Sequence, residues 1–238
     1  MQRLPVTAIV LATLLSVSRA AMAADDAEGF RPLFNGKDLS GWVNVNLHDD
    51  TMSVREGVIY CTGKPTGVMR TDRHYENFIL ELEWRHLRPK GNAGLFVWSD
   101  AKPTTHPLFT RSVEVQILDG RETENYTSHG DVFAIHGAKM TPDRPHPAGW
   151  MRCLPSEKRA KPSPEWNHYR VTCNDGAIQL AVNGKVVSGG HDVTPRKGYI
   201  CLESEGSPIE FRNIRIKELP STGATPEETA TLAEPEEE

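Results

Sequence analysis

The chain has 238 residues and a formal charge of -5, from 27 lysines and arginines against 32 aspartates and glutamates, with 38% hydrophobic residues. That length supports one sizeable core, and the charge leaves no basic field for nucleic acid. No run reaches the roughly 20 apolar residues that a bilayer-spanning helix needs, so no membrane anchor is expected.

Arg3 precedes an apolar run from Leu4 to Val17, and Ala21-Met22-Ala23 supplies the small-x-small pattern that a signal peptidase reads. Residues 1–23 are therefore expected to be a cleaved signal peptide, and the mature chain an exported protein, periplasmic or secreted. The residue directly after the cleavage point is Ala24 and not a cysteine, so no thiol stands there to accept a lipid. Losing Arg3 and Arg19 takes the charge to -7, and six glutamates fall in the tail, so residues 24–220 carry only -1. The chain divides into this leader, one carbohydrate-active β-domain over 24–220, and a 221–238 tail. Rich in Thr, Pro and Glu, the tail is expected to be disordered.

Between these ends, turn signals recur at Asn35-Gly36, Glu56-Gly57, Gly91-Asn92, Asp119-Gly120, Asp175-Gly176, Asn183-Gly184 and Gly189-Gly190. Short segments of period-two alternation lie between them: 54–61, 78–87, 93–98, 112–118, 167–174, 177–182, 185–187, 198–203 and 209–217. Asn183-Gly184 is a strong hairpin signal, and Asp175-Gly176 repeats it one strand earlier. The pattern predicts an all-β fold of two packed antiparallel sheets. The stretch from Arg121 to Pro164 breaks the rhythm, and a long irregular insertion of this kind is usually functional. Cys61, Cys153, Cys173 and Cys201 allow one or two disulfides in an oxidising compartment, without choosing a pairing.

Alternation splits each strand into a core row and an opposite row. Phe78, Leu80, Leu82 and Trp84 are expected inward, leaving Glu81, Glu83 and Arg85 outward. Likewise Phe96 and Trp98, Glu114 and Gln116, and Cys201 and Glu203 are expected to face away from the core. Carboxylates, an amide, a guanidinium and exposed aromatics together suit a carbohydrate, whose C-H faces stack on rings while its hydroxyls need bidentate polar partners. The plainer alternative is a solvated sheet with cross-strand ion pairs. His129 and His136 flank the apolar run 132–135, so a strand would carry both to a sheet rim as acid or base candidates. Zinc-peptidase, α/β-hydrolase and nucleotide-loop motifs are missing.

Six stretches occur in order: 34–42 (FNGKDLSGW), 91–96 (GNAGLF), 113–119 (VEVQILD), 165–167 (EWN), 182–184 (VNG) and 211–216 (FRNIRI). Together, across Gly29 to Leu219, they resemble the 3-keto-disaccharide hydrolase family, also described as 3-keto-glucoside lyase and hydratase domains. The resemblance implies a concanavalin A-like jelly-roll sandwich and cleavage of a glucoside oxidised at C3. Elimination across C1-C2, followed by hydration of the resulting glucal, needs a base, an acid at the leaving oxygen and a charge partner for the enolate. On that reading Glu114 or His136 serves as base, and Glu203 or His129 as acid. Arg85 or a divalent metal, held by Glu114, Glu203 or Asp119, stabilises the enolate. Glu83, Trp98, Gln116 and Arg152 complete the substrate contacts. Family members carry Gln and His where this chain has Glu203 and Glu205, and the insertion containing Arg152 marks a subgroup. A conventional retaining glycosidase and a non-catalytic carbohydrate-binding module are the alternatives on the same fold.

Purified exported protein is expected to begin at Ala24, giving an intact mass short of residues 1–23. A mass retaining them would rule out processing, and the same spectrum counts paired cysteines.

Overall fold

A computed structural model describes residues 29–233, so residues 1–28, with the expected signal peptide, and residues 234–238 lie outside the described residues. The strands are β1 (Arg31–Pro32), β2 (Trp42–Asn44), β3 (Met52–Arg55), β4 (Val58–Cys61), β5 (Gly67–Thr71), β6 (Phe78–His86), β7 (Asn92–Ser99) and β8 (Ser112–Leu118). They continue as β9 (Val132–Ile135), β10 (Lys139–Pro142), β11 (Arg152–Cys153), β12 (Asn167–Asn174), β13 (Ala177–Val182), β14 (Lys185–Thr194), β15 (Tyr199–Ser204) and β16 (Ile209–Glu218). Among the described residues the one helical element is a 3-10 turn at Pro226–Glu228.

These strands form the expected sandwich of two antiparallel sheets. The nine-stranded sheet runs β10-β14-β13-β12-β6-β16-β4-β3, with β1 beside β16, and the seven-stranded sheet runs β11-β9-β8-β7-β15-β5-β2. Asp175-Gly176 and Asn183-Gly184 turn the β12-β13-β14 meander, all four residues at positive φ as a tight hairpin turn of matching twist requires. The core lies between the sheets. Phe78, Leu80, Leu82 and Trp84 of β6 meet Leu95, Val97, Val113, Val115 and Ile117 of β7 and β8, all 2% exposed or less. Each is an alternate residue of its strand, so burying one row leaves the intervening row on the outer face.

Three expectations need correction. Gly189-Gly190 does not end a strand: β14 runs through it, opposite Gln179 and Ile178. A Cβ at Gly189 would lie 2.5 Å from the Ile178 carbonyl oxygen and one at Gly190 2.6 Å from Met140 Sδ, so these glycines permit close strand approach rather than a turn. The four cysteines are free and buried, each within a different strand, and no disulfide joins them.

Nor is the tail disordered where it is described. Glu76 accepts hydrogen bonds from Ser221 Oγ and from the amides of Thr222 and Ala224. Arg196 pairs with Glu228, and Ala230 is buried. Thr231 N donates to Asp100 Oδ1 while Ala101 N donates to the Thr231 carbonyl. Composition misleads here because the partners, Glu76, Asp100 and Arg196, sit on the body and satisfy the tail's backbone at little apolar cost. Truncation after Pro220 is expected to destabilise the domain by about 2 kcal/mol, through the loss of several hydrogen bonds, those from Ala224 N and Thr231 N part-buried, and of the buried Ala230 contact. A denaturant titration of the shortened chain checks this, and an unchanged midpoint would mean that the strap contributes nothing.

Candidate active site

Register on the seven-stranded sheet sets the site. Arg152 of β11 lies opposite Phe133 of β9, Phe133 opposite Glu114 of β8, and Glu114 opposite Phe96 of β7. One pleat further along, Gln116 lies opposite Gly94, and on β15 Glu203 faces Val68 of β5. All these side chains stand on the outer face, opposite the core.

That face is not bare. Over its central part, Phe96, Tyr199, Cys201 and Val68 form a second apolar cluster, joined by Phe109 and Ala101 from the connection between β7 and β8. The cover leaves Glu114 8%, Gln116 7% and Glu203 1% exposed. Glycine at 94 provides the space between the two carboxyls. A Cβ there would lie 2.7 Å from Glu203 Oε2 and 3.0 Å from Glu114 Oε1, so both oxygens converge on one point above the strand. An amide ladder borders them: Gln116 Nε2 donates to Asn92 Oδ1 at 2.9 Å, and Asn92 Nδ2 donates to Glu205.

Electrostatics follow from this crowding. Burial, reinforced by Glu205 and opposed by Arg152, pushes the Glu114 carboxyl up to about 8. Burial and then Glu114 push Glu203 well above the carboxylate range, and burial raises Glu205 as well. Like charges in a dry site cannot all ionise, so the group holds protons at neutral pH. Glu203 Oε2 is buried with no hydrogen-bond partner, which leaves it available to a ligand. Arg152 supplies the positive charge, lying 3.7 Å from the Phe133 ring centroid and 3.3 Å from Asp131 Oδ2.

The site therefore brings together Glu114, Gln116, Glu203 and Arg152 of the expected residues. Arg85 and Glu83 are elsewhere: β6 belongs to the nine-stranded sheet, and its outward row faces the other side of the sandwich. There Arg85 Nε donates to Glu210 and stacks over Trp166, while Glu83 accepts from Arg212. Alternation identifies the outward row of a strand but not the sheet to which that strand belongs. Trp98 points into the core instead of outward. The β7-β15 register shifts beside it, its φ is +54°, and its Nε1 donates to the Glu76 carbonyl at 2.7 Å, so a bulge rotates the ring inward.

His129 and His136 do mark the two ends of β9, as expected, but neither stands in register with Glu114. His129 Nε2 is 2.6 Å from Glu122 Oε1, and Glu122 also pairs with Lys158. His136 stacks on His106 at 4.5 Å, and burial together with that neighbour lowers its affinity for a proton. Asp119 closes the end of β8, accepting from the amides of Lys90 and Ser163. It does not reach the pair, and among the described residues no group of three or more His, Cys, Asp or Glu side chains could hold a metal ion. Two converging carboxyls that burial pushes toward the protonated form, bordered by side-chain amides, do not fit a divalent metal. Glu205, Asn92 and Gly94 went unassigned in the sequence, although Glu205 shares the parity of Glu203, and Asn92 and Gly94 alternate along one strand.

Residues 29–217 match the model of the 3-keto-alpha-glucoside-1,2-lyase-like domain. The chain belongs to that family. A 3-keto-disaccharide hydrolase of Bacteroides thetaiotaomicron is 23% identical, over 82% of this chain and 80% of that protein. A Parabacteroides distasonis protein provisionally described as a glycosyl hydrolase superposes with a TM-score of 0.63 at 24% identity, covering 83% of this chain and 97% of its own. A Bacillus subtilis protein with a galectin-like fold superposes at 0.54 with 10% identity, covering 79% and 94%. The likeness to these solved structures shows the fold, a concanavalin A-like sandwich.

The raised carboxyls carry a stability signature. Their folded values lie above the unfolded one, so the stability they contribute is full below about pH 4.5 and is lost as pH rises toward about 8, where Glu114 ionises. Glu114→Gln and Glu203→Gln are each expected to raise Tm at pH 8, by roughly 2–4 °C for each kcal/mol relieved in a domain of this size, and to leave it unchanged at pH 4.5. Melting curves across that range test this. A gain equal at both ends would point to packing instead of ionisation.

Proposed function

We propose that this chain is an exported carbohydrate-active enzyme that cleaves 3-keto-glucosides by elimination followed by hydration. The observation that carries the reading is the pair of buried carboxyls converging over Gly94, Glu114 pushed up to about 8 and Glu203 pushed well above the carboxylate range. Such a pair provides base and acid at once. Membership of the 3-keto-alpha-glucoside-1,2-lyase-like family and the name of the Bacteroides relative support the substrate class.

A ketone at C3 acidifies the proton on C2. Glu114 in its ionised form takes that proton, Glu203 gives its own to the glycosidic oxygen, the C1-O bond breaks and C1=C2 forms. Negative charge that develops on the C3 oxygen is met by Arg152, the guanidinium acting on Glu114. Gln116, Asn92 and Glu205 offer a planar row of donors and acceptors to the sugar hydroxyls. Proton positions on the pair are now exchanged, which is what the second half requires. Glu203, ionised, takes a proton from water as the oxygen adds to C1, and Glu114 returns its proton to C2. One molecule of water is consumed and both carboxyls are reset.

Wild-type protein is expected to release aglycone from a chromogenic 3-keto-glucoside and not from the parent glucoside, at a rate that rises toward pH 8 and is insensitive to a chelator. Glu114→Gln should lower turnover by about 10²- to 10⁴-fold while still binding substrate. Equal release from both compounds would instead establish ordinary hydrolysis, and binding without release from either would establish a binding module.

A further inference from the structure

At the outer edge of the seven-stranded sheet a cavity of about 310 Å³ is lined by Tyr126, Phe133, Ala134, Trp150, Met151 and Arg152. Small-ligand sites run from about 300 to 1,000 Å³, so this one has room for a single ring and not for a chain. Trp150 is 50% exposed and is nonetheless held in place. The buried His146 ring stacks against the indole at 4.7 Å and 7°, and His146 is fixed in turn because its Nδ1 accepts from Ala148 N. An indole that is held in place and half in solvent presents a flat apolar surface to a ligand.

Register says which part of a ligand reaches it. Across the sheet the order is Glu203 on β15, Glu114 on β8, Phe133 on β9 and Arg152 on β11, so the cavity lies beyond Glu114 on the side away from Glu203. In the proposed elimination Glu203 meets the oxygen on C1, Glu114 the proton on C2 and Arg152 the oxygen on C3. A group in the cavity is therefore a substituent of the 3-keto ring itself, and the leaving group lies on the opposite side. The carbonyl oxygen on C3 bears no substituent, and the next ring atom in the same direction is C4, which can carry one through its oxygen. Phe133 and Arg152 stand one and two strand spacings from Glu114, each about 4.8 Å, within reach of a neighbouring sugar.

The lining suits a second pyranose. Trp150 and Phe133 offer aromatic surface to its C-H face, and its hydroxyls meet two polar walls, the half-buried Tyr126, whose phenol both donates and accepts, and Arg152. Both hydrogen bonds that Arg152 gives to the described residues come from Nη1, to the Asn125 carbonyl and to Asp131 Oδ2, so Nε and Nη2 are left for a ligand. A forked donor of this kind can serve the C3 oxygen and a hydroxyl of the adjoining sugar together. We infer that the cavity is a subsite for a further sugar unit joined to O4 of the 3-keto ring, so that the preferred substrates carry a glycosyl extension at that position. This rests on the roles given above to Glu114, Glu203 and Arg152, and it names the substrate of that same site.

The test pairs turnover with binding. A chromogenic 3-keto-glucoside is compared with the same compound carrying a glucosyl group on O4 or on O2, on wild type and on Trp150→Ala, whose retained fold is checked by its melting curve. Expected is a KM about tenfold lower for the 4-O-glucosyl compound than for the unextended one, the worth of one stacked ring, lost in Trp150→Ala. Extension on O2 should bring no such gain, and the unextended compound should keep its KM in the variant. Calorimetric titration with methyl glucoside and methyl 4-O-glucosyl-glucoside, neither of them oxidised, reads binding apart from chemistry and should show the same preference in wild type and none in the variant. Should no 3-keto compound turn over while this binding preference holds, the cleavage mechanism falls and the sugar subsite stands. Equal affinity for extended and unextended compounds in both readouts, a gain from O2 extension as large as that from O4, or a preference that survives Trp150→Ala overturns the proposal.

Discussion

Glu114 and Glu203 share a space that excludes water, and much of the seven-stranded sheet's outer face is arranged around that constraint. Two carboxyls converging over Gly94 cannot both ionise there, so one or both retain a proton at a pH where exposed carboxylates have none. A side chain at position 94 would drive them apart, and a wetter cover would let each titrate in the ordinary range. The amide ladder Gln116-Asn92-Glu205 borders the pair without neutralising it, and Arg152 offsets only part of the burial. Such an arrangement opposes folding and is retained where chemistry uses it.

Keeping the site dry depends on parts of the chain far away in sequence. Phe109 and Ala101 cap the second apolar cluster, and the segment that carries them is anchored by Asp100. Asp100 takes two hydrogen bonds from Arg111 and one from Thr231 of the terminal strap. Ala233 N also reaches the Tyr199 hydroxyl, and Tyr199 is a member of the same cluster. The C-terminal segment thus supports the cover of the candidate site, and its acidic composition is a poor guide to its role.

Much of the architecture is legible in the residues. Period-two alternation in 78–85, 113–118 and 199–203, with Asp-Gly and Asn-Gly turns between later strands, is enough for two antiparallel sheets, and it assigns Phe78, Leu82, Val115 and Leu202 to the core correctly. Glu114, Gln116 and Glu203 follow by the same logic. What alternation cannot convey is which strands share a sheet. Arg85 and Glu83 obey the pattern yet stand on the opposite side of the sandwich, because β6 pairs with β12 and β16 and not with β7. Trp98 breaks parity at a bulge that only the register with β15 reveals. His129 and His136 do end the expected strand, but their partners, Glu122 and His106, come from loops whose paths the sequence does not specify.

Arg152 shows how the two halves of the molecule's logic meet. In sequence it belongs to the irregular stretch 121–164, which supplies β9, β10 and β11, and in the fold the two-residue β11 lies at the edge of the sheet and brings a guanidinium into line with Phe133 and Glu114. The same edge carries Trp150 and Met151 two residues and one residue earlier. Without β11 and the loop that leads into it, the carboxyl pair would lose both the positive charge beside Glu114 and the apolar side chains next to it. On the proposed mechanism the pair on β8 and β15 handles protons and the β11 edge supplies the charge beside it, so that edge can vary without moving the strands that position Glu114 and Glu203.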